Sequence, residues 1–170
     1  MIVQRLRLFS LAMLALALGG NCKAAACEVL RVIDGDTVRA RIDDVVQSVR
    51  VRGYDADELR QEMGPAARDK LQLILSSGEL SCDCKGSDRY GRSLCRLLID
   101  GQDVGPQMLR VGLACIDPRY VHELGPDERI AAPQALASAK AAGVGRWAST
   151  LDTTCPADWR KQQRQQRQSD

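Results

Sequence analysis

TVRARIDDVVQSVRV, residues 37–51, is the stretch from which the fold is read. In TVRARI (Thr37–Ile42), apolar and charged residues alternate, the period of a strand with one buried face. Asp43-Asp44 marks a turn, and Val45–Val51 alternates again, so the stretch reads as a hairpin. Upstream, Cys27–Val32 has the pattern of a strand, and Asp34-Gly35 is a strong turn signal. The three strands form an antiparallel meander.

Downstream, Pro65 after Gly64 suits the first position of a helix. Ala66, Ala67, Leu71, Ile74 and Leu75 then fall near helical spacing, up to Ser76-Ser77-Gly78. Glu79–Cys84 and Leu94–Ile99 form a second strand pair around the polar loop KGSDRYGR, and Asp100-Gly101 turns the chain out of the fifth strand. Pro106–Val111 reads as a short helix, and Pro133 opens a last one that stops around Gly143, with Trp147 packing on the core behind it. From Trp159 onward, WRKQQRQQRQSD lacks apolar spacing and reads as a disordered, solubilising tail. The class is α+β. Five short antiparallel strands fit a small barrel such as an OB-fold, although a two-residue period alone does not choose that barrel over another α+β sheet.

The first 26 residues stand apart from this domain. Arg5 and Arg7 precede the uncharged run Leu8–Leu18, and Ala24-Ala25-Ala26 follows. A basic start, a short apolar core and an A-x-A site describe a secretory signal peptide, with cleavage expected after Ala26. The run has 11 residues, against roughly 20 needed to span a bilayer, so no stable membrane insertion is expected once it is removed. The expected organisation is 1–26 signal, 27–150 folded domain and 151–170 tail. Losing Arg5, Arg7 and Lys23 with no acid takes the formal charge from +2 to −1. Binders of nucleic acid are usually basic overall, so any phosphate site must rest on local arginines. Six cysteines remain: Cys27, Cys82, Cys84, Cys95, Cys115 and Cys155. An even count in an exported chain reads as three disulfides. Cys95 pairs most simply with Cys82 or Cys84 across one turn. Zinc is disfavoured, because Cys82 and Cys84 are too close in sequence and His122 is the only histidine.

Two acidic groups carry the chemistry: Asp34-Gly35-Asp36-Thr37 at the first turn and Asp55-Ala56-Asp57-Glu58 after the third strand. A meander brings the end of strand three near the start of strand two, so the groups can meet. Carboxylates and backbone carbonyls are hard oxygen ligands that suit Ca²⁺ or Mg²⁺. Arg50 and Arg92 offer planar forks that hold two oxygens of one phosphate. Singly, each of these features reads better as an ordinary turn or a surface ion pair. Arg52, next to the inward Val51, is expected to point away from Arg50.

VIDGDTV, RVRGYDADE and DRYGR, in this order and spacing, resemble the thermonuclease (staphylococcal nuclease-like) family, from about Glu28 to Trp147. GQDVGPQMLRVGLA, residues 101–114, also looks like that family's segment after the fifth strand. The resemblance implies a five-stranded OB barrel with three helices. It implies a monomeric, exported bacterial enzyme, periplasmic or secreted, that cuts single- or double-stranded DNA and RNA with Ca²⁺ (Mg²⁺ as an alternative) and leaves 3′-phosphate ends. By motif it makes Asp36, Asp55 and the Ala56 carbonyl the metal ligands, with Asp34 supporting them. Glu58 becomes the residue that positions or deprotonates water. Arg50 and Arg92 grip the phosphate, and Arg89, Tyr90 and Tyr120 contact the nucleotide.

Three departures from the family pattern accompany these matches. Asp57 stands where a proline is usual, which frees the loop and adds a negative charge beside the metal ligands, making it a modulator of the site. Pro118 replaces a second nucleotide-stacking tyrosine. The low net charge weakens long-range steering of nucleic acid. A non-catalytic OB module that binds nucleic acid is the competing reading; it has no need of Glu58 or of both arginines.

Overall fold

The computed structural model describes residues 25–148 and 150–169. Most of the expected signal segment lies outside these residues. Ala25 and Ala26 belong to the first strand and pair with Cys82 and Ser81.

The strands are β1 (Ala25–Val32), β2 (Thr37–Ile42), β3 (Val45–Val51), β4 (Asp55–Ala56), β5 (Leu80–Ser87), β6 (Ser93–Ile99), β7 (Gln102–Asp103) and β8 (Ala114–Cys115). Six of them form one sheet in the order β3-β2-β1-β5-β6-β7, and β4 pairs with β8 separately. The sheet closes on itself because β3 also pairs with β6, Val49 to Ser93 and Val51 to Cys95. That closure is parallel, which corrects the all-antiparallel expectation. The reason is parity: a ring of five long strands cannot alternate direction throughout, so one neighbouring pair must run the same way. The three two-residue strands are additions to the five expected.

Alternation builds the core. Val38, Ala40 and Ile42 of β2, Val49 and Val51 of β3, and Cys95, Leu97 and Ile99 of β6 are buried. Helix α1 (Gly64–Leu75) lays Ala67, Leu71, Ile74 and Leu75 into this core, with proline in its first turn. Helix α2 (Val104–Arg110) starts two residues before the expected Pro106, because the Asp103 side chain accepts from the Gly105 N–H at 2.8 Å.

Helix α3 spans Pro126–Ala142, so Pro133 lies inside it and does not open it. The opening proline is Pro126, after Gly125, whose N–H donates to the Glu128 carboxylate at 2.6 Å. Pro133 is exposed, and an interior proline removes one hydrogen bond of the helix. Glu128 also faces Arg96 at 3.2 Å and Arg52 at 3.6 Å. Arg52 thus meets Glu128 and Asp83, whereas Arg50 meets Asp36 and Asp55; strand alternation would put residues two apart on one face, and Arg52 escapes it because β3 ends at Val51.

The tail is the larger correction. Pro156–Ser169 forms a fourth helix, α4. Gln, Arg and Lys are good helix formers, and Pro156 is buried at its start. The preceding Cys155 is bonded to Cys115 of β8. The other disulfides are Cys27–Cys82 and Cys84–Cys95. No helix among the described residues is long and apolar enough to cross a membrane.

Candidate active site

Four pieces of chain converge on one side of the barrel: the turn before β2, the end of β3, β4 with the loop entering α1, and the loop between β5 and β6. They line a cleft of about 990 Å³.

Thr37 faces Arg50 directly across the β2–β3 ladder. Asp36, at the end of the turn, accepts from the Thr37 hydroxyl at 3.0 Å and from the Ala56 N–H at 2.8 Å. Its carboxylate thus ties the first turn to β4. The Asp34 carboxylate accepts from the Asp36 N–H at 3.0 Å and fixes that turn from behind. Burial pushes the Asp34 carboxyl above its ordinary value, against the pull of Thr37 and Arg50. Arg50 forms ion pairs with Asp36 and, at 2.9 Å, with Asp55. It also donates to the Tyr54 carbonyl at 3.1 Å, and the buried Tyr54 hydroxyl donates to the Gly35 carbonyl at 3.0 Å.

Arg92 reaches the same place from the β5–β6 loop and donates to the Thr37 hydroxyl at 3.1 Å. Asp88 holds it there, accepting from Arg92 Nε at 2.7 Å and from the N–H groups of Tyr90 and Arg92. Burial raises the Asp88 carboxyl, but the Arg92 and Tyr90 bonds outweigh it and leave the group below the usual aspartate value. Glu58 stands at the cleft wall with its side chain 38% exposed, whereas that of Asp55 is 3% exposed. Water therefore reaches Glu58 far more readily than Asp55.

Arg89, Tyr90 and Tyr120 all line the cleft. Tyr90 is 69% and Tyr120 44% exposed. Arg89 donates to the Tyr90 hydroxyl at 2.7 Å and lies 4.8 Å from its ring centroid. Tyr120 sits on a short 3₁₀ turn (Pro118–Glu123) beside Arg119. Burial raises the nearby Asp117 carboxyl, but Arg119 outweighs it and holds the group low.

Asp57 does not face outward as a free charge. Its carboxylate is paired with Arg146, a side chain with no exposed surface that also donates to the Thr154 carbonyl. Burial raises the Asp57 carboxyl and Arg146 opposes that rise. Nothing in the GRW context of Arg146 marks it as buried. A second arginine comes from α4: Arg160 donates to Asp55 at 2.7 Å and to Glu58 at 2.7 Å. Burial lowers the Arg160 guanidinium, but these bonds dominate and raise it above its ordinary value. The i, i+4, i+7 spacing of Arg160, Arg164 and Arg167 was the available signal, hidden by the polarity of the tail.

Asp36 and Asp55 meet the two terminal nitrogens of one guanidinium, so both carboxylates adjoin the same side chain. Among the described residues, no three His, Cys, Asp or Glu side chains are grouped to hold a metal. The third ligand expected here is a backbone oxygen. A purely oxygen donor set with two neighbouring carboxylates fits Ca²⁺ or Mg²⁺.

An OB barrel with carboxylates and arginines facing one another in an open cleft defines a class of protein: a small β-barrel with a charged cleft on one side. The family model described as "Staphylococcal nuclease homologue" matches residues 48–149, and this chain belongs to that family. It is 31% identical over 145 residues to a protein of Escherichia coli named Protein ParB, covering 82% of this chain and 81% of that one. It is 29% identical over 143 residues to an uncharacterized endonuclease of Haemophilus influenzae, covering 81% and 74%. A micrococcal nuclease of Shigella flexneri is 37% identical over 67 residues, covering 39% and 38%.

Proposed function

We propose that this chain is an exported nuclease that hydrolyses phosphodiester bonds of DNA and RNA with Ca²⁺, or Mg²⁺ in its place, leaving 3′-phosphate ends. The observation that carries the reading is the convergence of Asp36, Arg50, Asp55 and Glu58 in one cleft with Arg92 at its edge. Family membership and the names of the relatives support it. The three disulfides and the expected signal peptide support a periplasmic or secreted location in a bacterium.

Asp36, Asp55 and the Ala56 carbonyl would hold the cation, with Asp34 keeping Asp36 in place. Bound there, the cation supplies charge neutralisation at the phosphate and a lowered proton affinity for water. Glu58 is exposed enough to meet a water molecule and takes its proton as the oxygen attacks phosphorus. A new P–O bond forms, the bond from phosphorus to the 5′ oxygen breaks, and the departing 5′ oxygen takes a proton from solvent water in the open cleft. Arg50 and Arg92 donate to the non-bridging oxygens, which carry more charge in the transition state than in the substrate. Arg89, Tyr90 and Tyr120 hold the nucleotide along the cleft. Asp57 keeps the loop in register by its pairing with Arg146.

The test is cleavage of single-stranded DNA by the mature, disulfide-intact protein, with Ca²⁺, Mg²⁺ and chelator in parallel and Glu58→Gln as control. Calcium-dependent cleavage that is lost in Glu58→Gln while DNA binding persists is expected. A folded sample inactive with every metal would leave the binding-module reading in its place.

A further inference from the structure

The site includes a closed circuit of contacts through α4. Asp55 faces Cys115 across the β4–β8 ladder. Cys115 is bonded to Cys155. Cys155 precedes the first residue of α4, and Arg160 on that helix returns to Asp55 and Glu58. The disulfide therefore anchors the helix beside the strand that carries a candidate metal ligand. Arg160 and Arg164 both line the cleft. Residues 160, 164 and 167 share one helix face. Across its 14 residues α4 has Arg160, Lys161, Arg164 and Arg167 against the single acid Asp158, in a mature chain whose expected net charge is −1.

We propose that α4 is a nucleic-acid-binding element, in which Arg160 and Arg164 grip backbone phosphates beside the cleaved one and Arg167 continues the track outward. The inference rests on the nuclease reading of the cleft. A cation that takes Asp55 removes one of the two carboxylates that hold Arg160, and the released donors face an anionic ligand in the same cleft. Guanidinium forks suit phosphate oxygens. A local stripe of this kind supplies the electrostatic contact that the overall charge does not. The helix is placed by a covalent bond, so little ordering is needed when nucleic acid binds.

Binding is read by fluorescence anisotropy of a labelled single-stranded oligonucleotide, using the mature protein with Ca²⁺ in a Glu58→Gln background, where no cleavage intervenes. Arg160→Gln/Arg164→Gln is expected to weaken binding on the order of tenfold near 0.1 M salt. It should also flatten the slope of log K against log salt by about 1.4, at roughly 0.7 per lost phosphate contact on a single strand. Cys115→Ser/Cys155→Ser keeps every arginine but frees the helix, and should weaken binding severalfold. Arg68→Gln on α1, outside the cleft, is the control for charge alone. With Glu58 intact, Arg164→Gln should raise KM and leave kcat in place. Unchanged affinity and slope in the double variant, or faster cleavage when Arg160 is removed, would overturn the proposal; the second result would make α4 a block on the carboxylates. Loss of affinity without cleavage in any protein would retire the nuclease reading and leave α4 as a binding element.

Discussion

Replacing Arg146 by methionine is expected to destabilise the protein far more than a single lost ion pair on a surface would. Arg146 has no exposed surface and the Asp57 side chain is 3% exposed. Methionine fills much of the volume but leaves the Asp57 charge buried without its partner. Breaking a buried pair from one side costs about 3–5 kcal/mol. At about 2–4 °C per kcal/mol for a chain of this size, the melting temperature should fall by roughly 10 °C. Asp57→Asn alone is also costly, because Arg146 keeps its buried charge and loses the carboxylate that neutralises it, with only neutral acceptors left. Arg146→Met/Asp57→Asn removes both charges, so its cost should be less than the sum of the single costs by about 2 kcal/mol or more. Urea denaturation with the disulfides intact measures all four proteins, and Trp147, whose ring lies 5.6 Å from the Arg146 guanidinium, is a natural fluorescent reporter. Additive single effects, or a loss below about 1 kcal/mol in Arg146→Met, would refute this account. Because Asp57 lies between Ala56 and Glu58, the single variants should also lower kcat.

Arg50→Lys should reduce cleavage on the order of a hundredfold with the fold intact, since a point charge cannot replace the fork that spans Asp36 and Asp55; steady-state kinetics and a thermal melt read the two effects separately. Gly64→Ala should reduce both stability and cleavage, because the added Cβ would sit on the Glu58 carbonyl oxygen and force the Glu58 loop away from α1; cleavage rate and melting temperature are the readouts. Replacing cysteine pairs by serine should cost about 3 kcal/mol for Cys84–Cys95 and about 4 kcal/mol for Cys27–Cys82, because the second closes a longer loop, 55 residues against 11; denaturant titrations give the order. Asp88 is held below its unfolded value by the Arg92 and Tyr90 bonds, so its contribution is full above the unfolded pKa and lost as pH falls through the lower folded one. The stability gap between the parent and Asp88→Asn should then be flat above the ordinary aspartate range and close as pH falls below it in acid denaturation curves.

What the sequence determined by itself was local. The alternation in TVRARI and VVQSVRV set the buried and the outward faces of β2 and β3, because successive side chains in a strand point to opposite faces. Asp34-Gly35 set the first turn, and Pro65 with the apolar spacing after it set α1. The order of VIDGDTV, RVRGYDADE and DRYGR carried the family resemblance and the principal cleft residues. Neither period nor composition distinguished Pro133 inside a helix from a proline that opens one, or a helical tail from a disordered one. Only the tertiary structure decided which of the fifteen pairings of six cysteines form, and that β3 and β6 close the barrel in parallel. It also decided that Asp57 belongs to Arg146, 89 residues away, and that Arg160 meets Glu58 and Asp55 from 102 and 105 residues away. The physical reason is common to all four. Hydrogen bonding and burial within one element repeat with a short period that a sequence displays. A contact between distant segments is fixed by how the closed barrel and its disulfides bring those segments together, and it leaves no period along the chain.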